Sequence, residues 1–133
     1  MSLASEQQNA PIPAEGDVWL EVIKDVENLI FGLSPGIVRL LFARLSDDIE
    51  ERRQFGLQKY KVPVQIGNGR NFRLDAYQEL LDSLVYLKGD ILSTNNEASI
   101  RCYHTILSLC LLLRSSLLDT EISNEKSQVQ KGS

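Results

Sequence analysis

The sequence predicts an all-α protein, a four-helix bundle with a long basic loop between its second and third helices. Apolar residues recur every three or four positions in four segments, which is the spacing of one face of a helix. Glycine, proline and asparagine mark the breaks between these segments, and no credible sheet is visible. Hydrophobic residues make up 43% of the chain and charged residues 24%, a balance typical of a globular protein with a real core.

Helix one is predicted over residues 17–31. Its apolar stripe runs from Val18 to Ile30, with acidic and basic residues between the apolar ones. Trp19 lies on this stripe, where it could pack in a core or stack on a nucleobase. An aromatic side chain on an apolar stripe is more often a core residue, so we interpret Trp19 as part of the core.

Helix two is predicted to follow the break at residues 32–36. Ser34 and Pro35 are expected to be its N-cap and first-turn residues, because serine accepts a hydrogen bond at a helix start and proline suits the first turn. The helix is expected to end near Gln54, and its second half is rich in charge.

Residues 55–73 are predicted to form the long loop, because Gly56, a proline and two further glycines interrupt the helical spacing. A short extended piece over residues 62–66 and a tight turn at Asn68-Gly69 are expected within it. The segment contains no acidic residue, so it is the one basic concentration in the chain. Its basic residues are Lys59, Lys61, Arg70 and Arg73.

Helix three is predicted over residues 74–92 and helix four over residues 97–118, with residues 93–96 ending the one and capping the other. Helix four carries few charges, so we expect it at the centre of the bundle or in an oligomer interface. Its two cysteines, Cys102 and Cys110, have no disulfide or metal-ligand spacing and are predicted to be reduced, buried thiols.

The two ends of the chain are polar. Residues 1–16 are predicted to be a disordered or loosely draped arm and residues 119–133 a polar tail that frays, leaving residues 17–118 as one helical domain. No apolar segment of a secretory signal occurs at the start, and the most apolar stretch, residues 102–113, is too short to span a bilayer. The protein is therefore expected to be soluble and intracellular, with no membrane partner.

Two acidic clusters flank the basic loop. On helix two, Asp47 and Asp48 lie four and three residues before Glu51, which brings the carboxylates to one face. On helix three, Glu79 and Asp82 have the same three-residue spacing. Magnesium and manganese prefer such oxygen ligands, and substrate phosphates complete their coordination shell. The two clusters therefore predict a metal site, provided that their helices face each other.

For helix three alone, a solvated face is the alternative interpretation, because its acids lie opposite the apolar sector. Two clusters with converging spacings, joined by a purely basic segment, favour the metal site instead. A spare carboxylate can act as a general base, and the basic side chains can neutralise a polyphosphate. The net charge of −4 argues against a nucleic-acid polymer as the partner.

At these acids the sequence resembles the all-α nucleotide pyrophosphatases of the MazG-like superfamily. Their motif is Glu-Glu-x-x-Glu on one helix and Glu-x-x-Asp on the next. The segment over residues 51–87 is also similar to small phage-type members described as dATP/dGTP diphosphohydrolases, and the whole resemblance covers residues 38–92. The matching residues are Asp47, Asp48 and Glu51, with aspartate twice in place of glutamate, and then Glu79 and Asp82.

The resemblance implies a metal-dependent pyrophosphohydrolase of (deoxy)nucleoside triphosphates, with dGTP and dATP as candidate substrates. Water attacks between the α and β phosphates and gives a nucleoside monophosphate and pyrophosphate, with Mg²⁺ or Mn²⁺ as the cofactor. The resemblance also implies a homo-oligomer, a dimer or tetramer with helices packed across subunits, and a cytoplasmic location in a bacterium or a phage-infected host cell.

Each candidate residue then has an expected role. The expected metal ligands are Asp47, Asp48, Glu51, Glu79 and Asp82, with Asp48 or Glu51 as the catalytic base. The residues expected to hold the substrate are Lys59, Arg70 and Arg73, supported by Asp75. The alternative hypothesis is a non-catalytic helical protein that binds nucleotides or serves as an oligomeric adaptor through its apolar helix four.

Overall fold

A computed structural model describes residues 3–12 and 14–131, and for residues 119–125 and 127–131 it describes the backbone alone. Within these ranges the chain forms four helices and no strand, which confirms the all-α prediction. None of the described helices is both long enough and apolar enough to cross a membrane. The helices are α1 (Val18–Phe31), α2 (Ile37–Tyr60), α3 (Phe72–Thr94) and α4 (Glu97–Lys131).

The chain is divided into two compact units, and the single helical domain over residues 17–118 stays a prediction. The α1–α2 unit contains Asn9–Arg70, and the α3–α4 unit contains Met1–Gln8 together with Asn71–Ser133. Helix α1 packs against α2 in the first unit, and α3 packs against α4 in the second. Each unit is thus a helix pair with its own contacts, and the four-helix bundle stays a prediction.

An ion pair holds the start of α1 against α2. Asp17 is the N-cap of α1, and its Oδ1 accepts a hydrogen bond from the backbone N–H of Leu20 (3.3 Å). Its Oδ2 accepts another from Nε of Arg53 on α2 (2.8 Å). The Asp17 side chain is only 11% exposed and that of Arg53 only 19%, so the contact is shielded from water. Asp17 therefore caps one helix and also fixes it to the next.

Helix α2 begins later than predicted. Its N-cap is Gly36, which makes no side-chain cap hydrogen bond. The prediction of Ser34 and Pro35 as N-cap and first-turn residues was therefore wrong. Gly36 has a positive φ of 157° outside the helical region, so the break that follows α1 lasts through this residue before the helix starts.

Helix α2 also continues beyond its predicted end near Gln54. Gly56 lies inside the helix, which stops only at Tyr60, and Lys61 follows in a left-handed conformation (φ 67°) as the C-cap. A single glycine costs a helix only about 1 kcal/mol relative to alanine, so it does not have to end one. The prediction of a loop over residues 55–73 was therefore too long at both ends.

The connection between α2 and α3 pairs with the N-terminal segment. An isolated antiparallel bridge joins Glu15 to Ile66, and the N–H of Ile12 donates to the carbonyl of Asn68 (2.7 Å). Asn68 is buried, and its Oδ1 accepts a hydrogen bond from the N–H of Arg70 (3.1 Å). Both glycines beside Asn68 have positive φ. The predicted tight turn is therefore present, stabilised by an asparagine side chain.

Leucines from three parts of the sequence form the core of the α3–α4 unit. They are Leu3 (7% exposed), Leu74 (2% exposed) and Leu117 (3% exposed). The amide of Gln78 on α3 donates hydrogen bonds to the carbonyls of Leu3 (2.8 Å) and Glu6 (2.9 Å). The described start of the chain is thus attached to α3, where the sequence predicted a disordered or loosely draped arm.

The junction of α3 and α4 follows the prediction that residues 93–96 end one helix and cap the next. Asn95 ends α3 in a left-handed conformation (φ 53°). The Oδ1 of Asn96 then accepts a hydrogen bond from the N–H of Ser99 (3.0 Å) in the first turn of α4. Helix α4 itself continues to Lys131, past the predicted end at residue 118.

Large apolar side chains remain exposed in both units. In the α1–α2 unit, Phe31 is 91% and Ile37 75% exposed. In the α3–α4 unit, Leu92 is 77% and Leu111 74% exposed. Packing against a partner would remove these side chains from water.

The two cysteines lie in different environments on α4. Both are free thiols, but Cys102 is exposed and Cys110 is buried, so the prediction of two buried thiols was wrong for Cys102. Burial raises the pKa of the Cys110 thiol, because a thiolate loses its hydration in an apolar surrounding.

Removing the carboxylate of Asp17 should weaken the α1–α2 unit. The change Asp17→Ala is expected to lower the free energy of unfolding by about 0.5–2 kcal/mol for the lost N-cap alone, and it also leaves Arg53 without its nearest anion. Asp17→Asn keeps a good capping side chain, so its loss should be smaller. The measurement is urea unfolding. Asp25→Ala, an exposed acid on the same helix, is the control, and an equal effect of all three changes would contradict the role of Asp17.

The two thiols should react with iodoacetamide at different rates, because the thiolate is the nucleophile and Cys110 forms it only at higher pH. Near pH 8 we expect Cys102 to be alkylated at least about tenfold faster than Cys110. The rise in the reactivity of Cys110 should also be displaced to higher pH. Peptide mass spectrometry of timed samples measures both rates. Equal rates in the folded protein would contradict the burial of Cys110.

Candidate functional site

The predicted ligands on α2 are exposed and have no charged partner. Within the described residues none of them forms a side-chain hydrogen bond or ion pair. Glu50 differs, since its Oε1 accepts hydrogen bonds from Arg53 (3.1 Å) and Gln54 (2.9 Å). Side chains three and four residues apart lie on one side of a helix, so α2 presents a row of uncompensated carboxylates. These are Asp47, Asp48 and Glu51.

The predicted ligands on α3 have the same character. Glu79 and Asp82 are exposed, and neither side chain has a hydrogen-bond or ion-pair partner within the described residues. Asp90, two turns further along α3, instead accepts hydrogen bonds from the hydroxyls of Thr94 (3.3 Å) and Ser99. The acids of α3 that match the pyrophosphatase motif are therefore available to a cation, whereas Asp90 supports the junction with α4.

The two groups of carboxylates belong to different units, one to the α1–α2 unit and the other to the α3–α4 unit. Across the part of the chain that the structure describes, no group of three or more His, Cys, Asp or Glu side chains is arranged to hold a metal ion. The chemistry of the donors does suit Mg²⁺ or Mn²⁺, because both ions prefer carboxylate oxygens. Each helix by itself supplies a partial ligand set.

The basic residues expected to hold the phosphates do not share one loop. Lys59 lies in the last turn of α2 and Arg73 in the first turn of α3, so only Arg70 of the three belongs to the connection. Lys59 and Arg70 are part of the α1–α2 unit, and Arg73 is part of the α3–α4 unit. The prediction of one basic loop was wrong for Lys59 and Arg73, because both neighbouring helices extend into the segment.

Two of the predicted substrate residues have contacts inside their own units. The guanidinium Nη1 of Arg70 donates a hydrogen bond to the carbonyl of Asn9 (3.2 Å). Asp75 is half-buried, and its Oδ1 accepts a hydrogen bond from the amide of Gln8 (2.7 Å). Asp75 therefore helps to hold the start of the chain on α3, in addition to any role toward a substrate.

The α1–α2 unit contains a cavity of about 180 Å³ that was not predicted from the sequence. Its lining combines aromatic rings with basic side chains and with the first residues of the connection. Tyr60 is exposed, Phe55 is exposed, and Trp19 is half-buried. The residues that matter most for its chemistry are Trp19, Arg52, Phe55, Gly56, Lys59 and Tyr60.

The basic side chains around this cavity differ in what they contact: two lie beside aromatic rings and one is paired with an acid. The guanidinium of Arg52 lies 4.9 Å from the ring centroid of Phe55, and the ammonium of Lys59 lies 5.2 Å from that of Tyr60. Arg53 also lines the cavity, but the hydrogen bond to Asp17 raises the pKa of this guanidinium and compensates its charge. The cavity therefore presents two cations beside aromatic rings and a third cation that is already paired.

The sequence does contain a pattern that could have revealed this cavity. Arg52, Phe55 and Lys59 follow one another at spacings of three and four, which places them on one face if α2 continues that far. A helix that ends near Gln54, as predicted, does not contain this pattern. Their association with Trp19 required the contact between α1 and α2.

The sequence matches no protein-family model, and no curated protein and no solved structure is significantly similar to the chain. The resemblance to the MazG-like superfamily accordingly rests on the two acidic motifs and stays a hypothesis. The side chains of the two units, rather than a relative, are the basis for a functional interpretation.

Proposed function

We propose that this protein is a metal-dependent nucleoside triphosphate pyrophosphohydrolase. Its reaction would cleave a (deoxy)nucleoside triphosphate, with dGTP and dATP as the first candidates, between the α and β phosphates. The observation that supports it best is the state of the five predicted ligands: all are exposed, with no intramolecular partner in the described residues. Asp25 and Glu27 on α1 are also exposed acids. Asp25 lies four residues after Glu21, but the Glu21 carboxylate is already paired with Lys24 (3.2 Å).

The carboxylates of α2 and α3 have distinct proposed roles. All five would be ligands of Mg²⁺ or Mn²⁺, and Asp48 or Glu51 would take the proton from the attacking water as general base. When bound, the ion would polarise a phosphoryl oxygen and lower the pKa of a coordinated water. The proposed ligands are Asp47, Asp48, Glu51, Glu79 and Asp82.

The basic residues would hold the rest of the triphosphate. Arg73 is exposed in the first turn of α3, where a planar guanidinium can bind two phosphate oxygens at once. Lys59 would act as a point charge at the end of α2, and Arg70 would do so from the connection. Asp75 lies in the same first turn of α3 as Arg73 and would support that turn through its contact with Gln8.

We propose that the active form is a homo-oligomer, a dimer or a tetramer. The exposed apolar side chains of both units support this, because burying such side chains against another copy removes them from water. The proposed location is the cytoplasm of a bacterium or of a phage-infected cell, where nucleoside triphosphates are available.

A non-catalytic nucleotide-binding protein or oligomeric adaptor is the second candidate function. The exposed apolar side chains of both units favour it, because such side chains can bind a partner without a metal ion. In that case the exposed acids would be a solvated surface and the apolar faces would carry the function. The two candidates differ in their response to metal ions.

Metal binding should raise the melting temperature of the full-length protein. With Mn²⁺ at about 100 times its dissociation constant, a ligand that binds only the folded state adds about 2.7 kcal/mol of stability, which is a shift of several degrees. Glu79→Gln and Asp48→Asn should reduce the shift, whereas Asp25→Asn should not. A melting curve that is indifferent to Mn²⁺ and Mg²⁺ would contradict the proposed metal site.

The proposed reaction predicts pyrophosphate release from a panel of ribo- and deoxynucleoside triphosphates in Mg²⁺ or Mn²⁺, and none in EDTA. Glu79→Gln and Asp82→Asn should each lower kcat/KM at least about 100-fold, because a lost ligand costs at least as much as a lost supporting contact. Both variants should keep the melting temperature of the parent, since the side chains are exposed.

Asp25→Asn is the matched control for this assay, as an exposed acid outside both motifs. Silence of the folded protein across the whole panel would reject the hydrolase and favour the non-catalytic candidate. Variants that lose their fold together with their activity would show instead that the acids are structural.

A further inference from the structure

The cavity of the α1–α2 unit has a lining that suits one kind of ligand. Aromatic residues come from both helices, Trp19 from α1 and Phe55 and Tyr60 from α2. Aromatic side chains of proteins bind nucleobases by stacking, without needing a particular base. The remaining apolar lining is aliphatic and consists of Leu57, Val62, Pro63 and Val64, so the three rings are the feature that favours a flat, aromatic ligand.

The charges of the lining specify the rest of that ligand. Among the described residues no acidic side chain lines the cavity, whereas the exposed cations Arg52 and Lys59 both line it. Each of these cations already lies within cation–π distance of a ring, so a ring and a positive charge are presented together. An anionic group joined to an aromatic ring system matches this arrangement, and phosphate is the anion for which arginine and lysine are well suited.

The volume limits how much of the ligand enters. At about 180 Å³ the cavity is smaller than the pockets of roughly 300–1,000 Å³ that enclose drug-sized ligands. A planar ring system is the part that fits. The sugar and phosphates would then lie outside, where Arg52 and Lys59 are exposed.

Gly56 leaves an open space in the α2 wall of the cavity. It lines the cavity, and a Cβ atom added there would meet no other atom within 4 Å. The position has no positive φ, so a larger residue would be tolerated by the backbone and would remove the roughly 1 kcal/mol cost of glycine in a helix. Glycine at this point therefore keeps open a space that a side chain would occupy.

We propose that this cavity is a nucleotide-binding site in which the base stacks among Trp19, Phe55 and Tyr60 and the phosphates contact Arg52 and Lys59. The inference rests on the proposed function only for the choice of nucleoside triphosphates as the ligand class and for the shared use of Lys59. Binding at this site requires neither the acids of α2 and α3 nor a metal ion.

The sequence supplies a direct probe, because Trp19 is its only tryptophan. Its fluorescence is titrated with dGTP and with dATP in EDTA, where turnover is suppressed, and corrected for absorbance with a free tryptophan analogue. We expect saturable quenching by both nucleotides. Deoxyguanosine should bind at least about tenfold more weakly for want of phosphate contacts, and inorganic pyrophosphate should not quench.

Three changes test the individual contacts. Gly56→Leu should abolish the saturable quenching by filling the cavity, whereas Gly89→Leu, at an equally open helical glycine of the α3–α4 unit, should leave it intact. Phe55→Ala should weaken both nucleotide and nucleoside by about tenfold or more. Lys59→Gln should weaken the nucleotide but not the nucleoside.

Lys88→Gln is the control for Lys59, since Lys88 lies 5.2 Å from the ring of Tyr103 in the other unit and has the same kind of cation–π contact. Absence of saturable quenching by any nucleotide would overturn the proposal. Quenching that survives Gly56→Leu, or that is reduced equally by Gly89→Leu, would overturn it as well.

This proposal and the proposed hydrolase fail in different ways. Saturable quenching in EDTA without pyrophosphate release in Mg²⁺ leaves the binding site in place and removes the hydrolase. Pyrophosphate release that is unaffected by Gly56→Leu, together with no quenching, removes this binding site and leaves the hydrolase.

Discussion

The contact between Asp17 and Arg53 is the constraint on which the α1–α2 unit depends. It joins the N-cap of α1 to the second half of α2 in a place that is largely shielded from water. Trp19 lies two residues after Asp17, and Arg52 is the neighbour of Arg53, so fixing the pair also brings the indole to the basic part of α2. Arg53 itself lines the cavity, and a second contact, the hydrogen bond from the N–H of Val18 to the carbonyl of Val64 (2.8 Å), holds the start of α1 against the connection that also lines it.

The same contact distinguishes a paired cation of the α1–α2 unit from the exposed ones. Arg53 is compensated by Asp17 and by Glu50, which makes it part of the internal structure. Arg52 and Lys59 are exposed and lie beside aromatic rings. A cation that is already paired with an acid adds little to the binding of an anionic ligand. An exposed cation beside an aromatic ring can contribute through its charge, and the ring can contribute through stacking.

The acids divide in a similar way. The carboxylate oxygens of Glu50 and Asp90 accept hydrogen bonds from neighbouring side chains, and both acids support local structure. The five acids of the two motifs have no such contacts within the described residues, although they are of the same chemical types. Their spacing was visible in the sequence, because it depends only on helix geometry. Their lack of partners became visible only when the neighbouring residues had been placed.

The sequence by itself determined the four helices, the junction at residues 93–96 and the turn at Asn68, because periodicity and capping depend on residues close in the chain. It did not determine where α2 ends, since a lone glycine can lie within a helix or after it. Only the tertiary structure decided that Leu3 joins the core of the α3–α4 unit and that Trp19 lines one cavity with Phe55 and Tyr60. Such contacts join residues distant in sequence, and no local pattern records them.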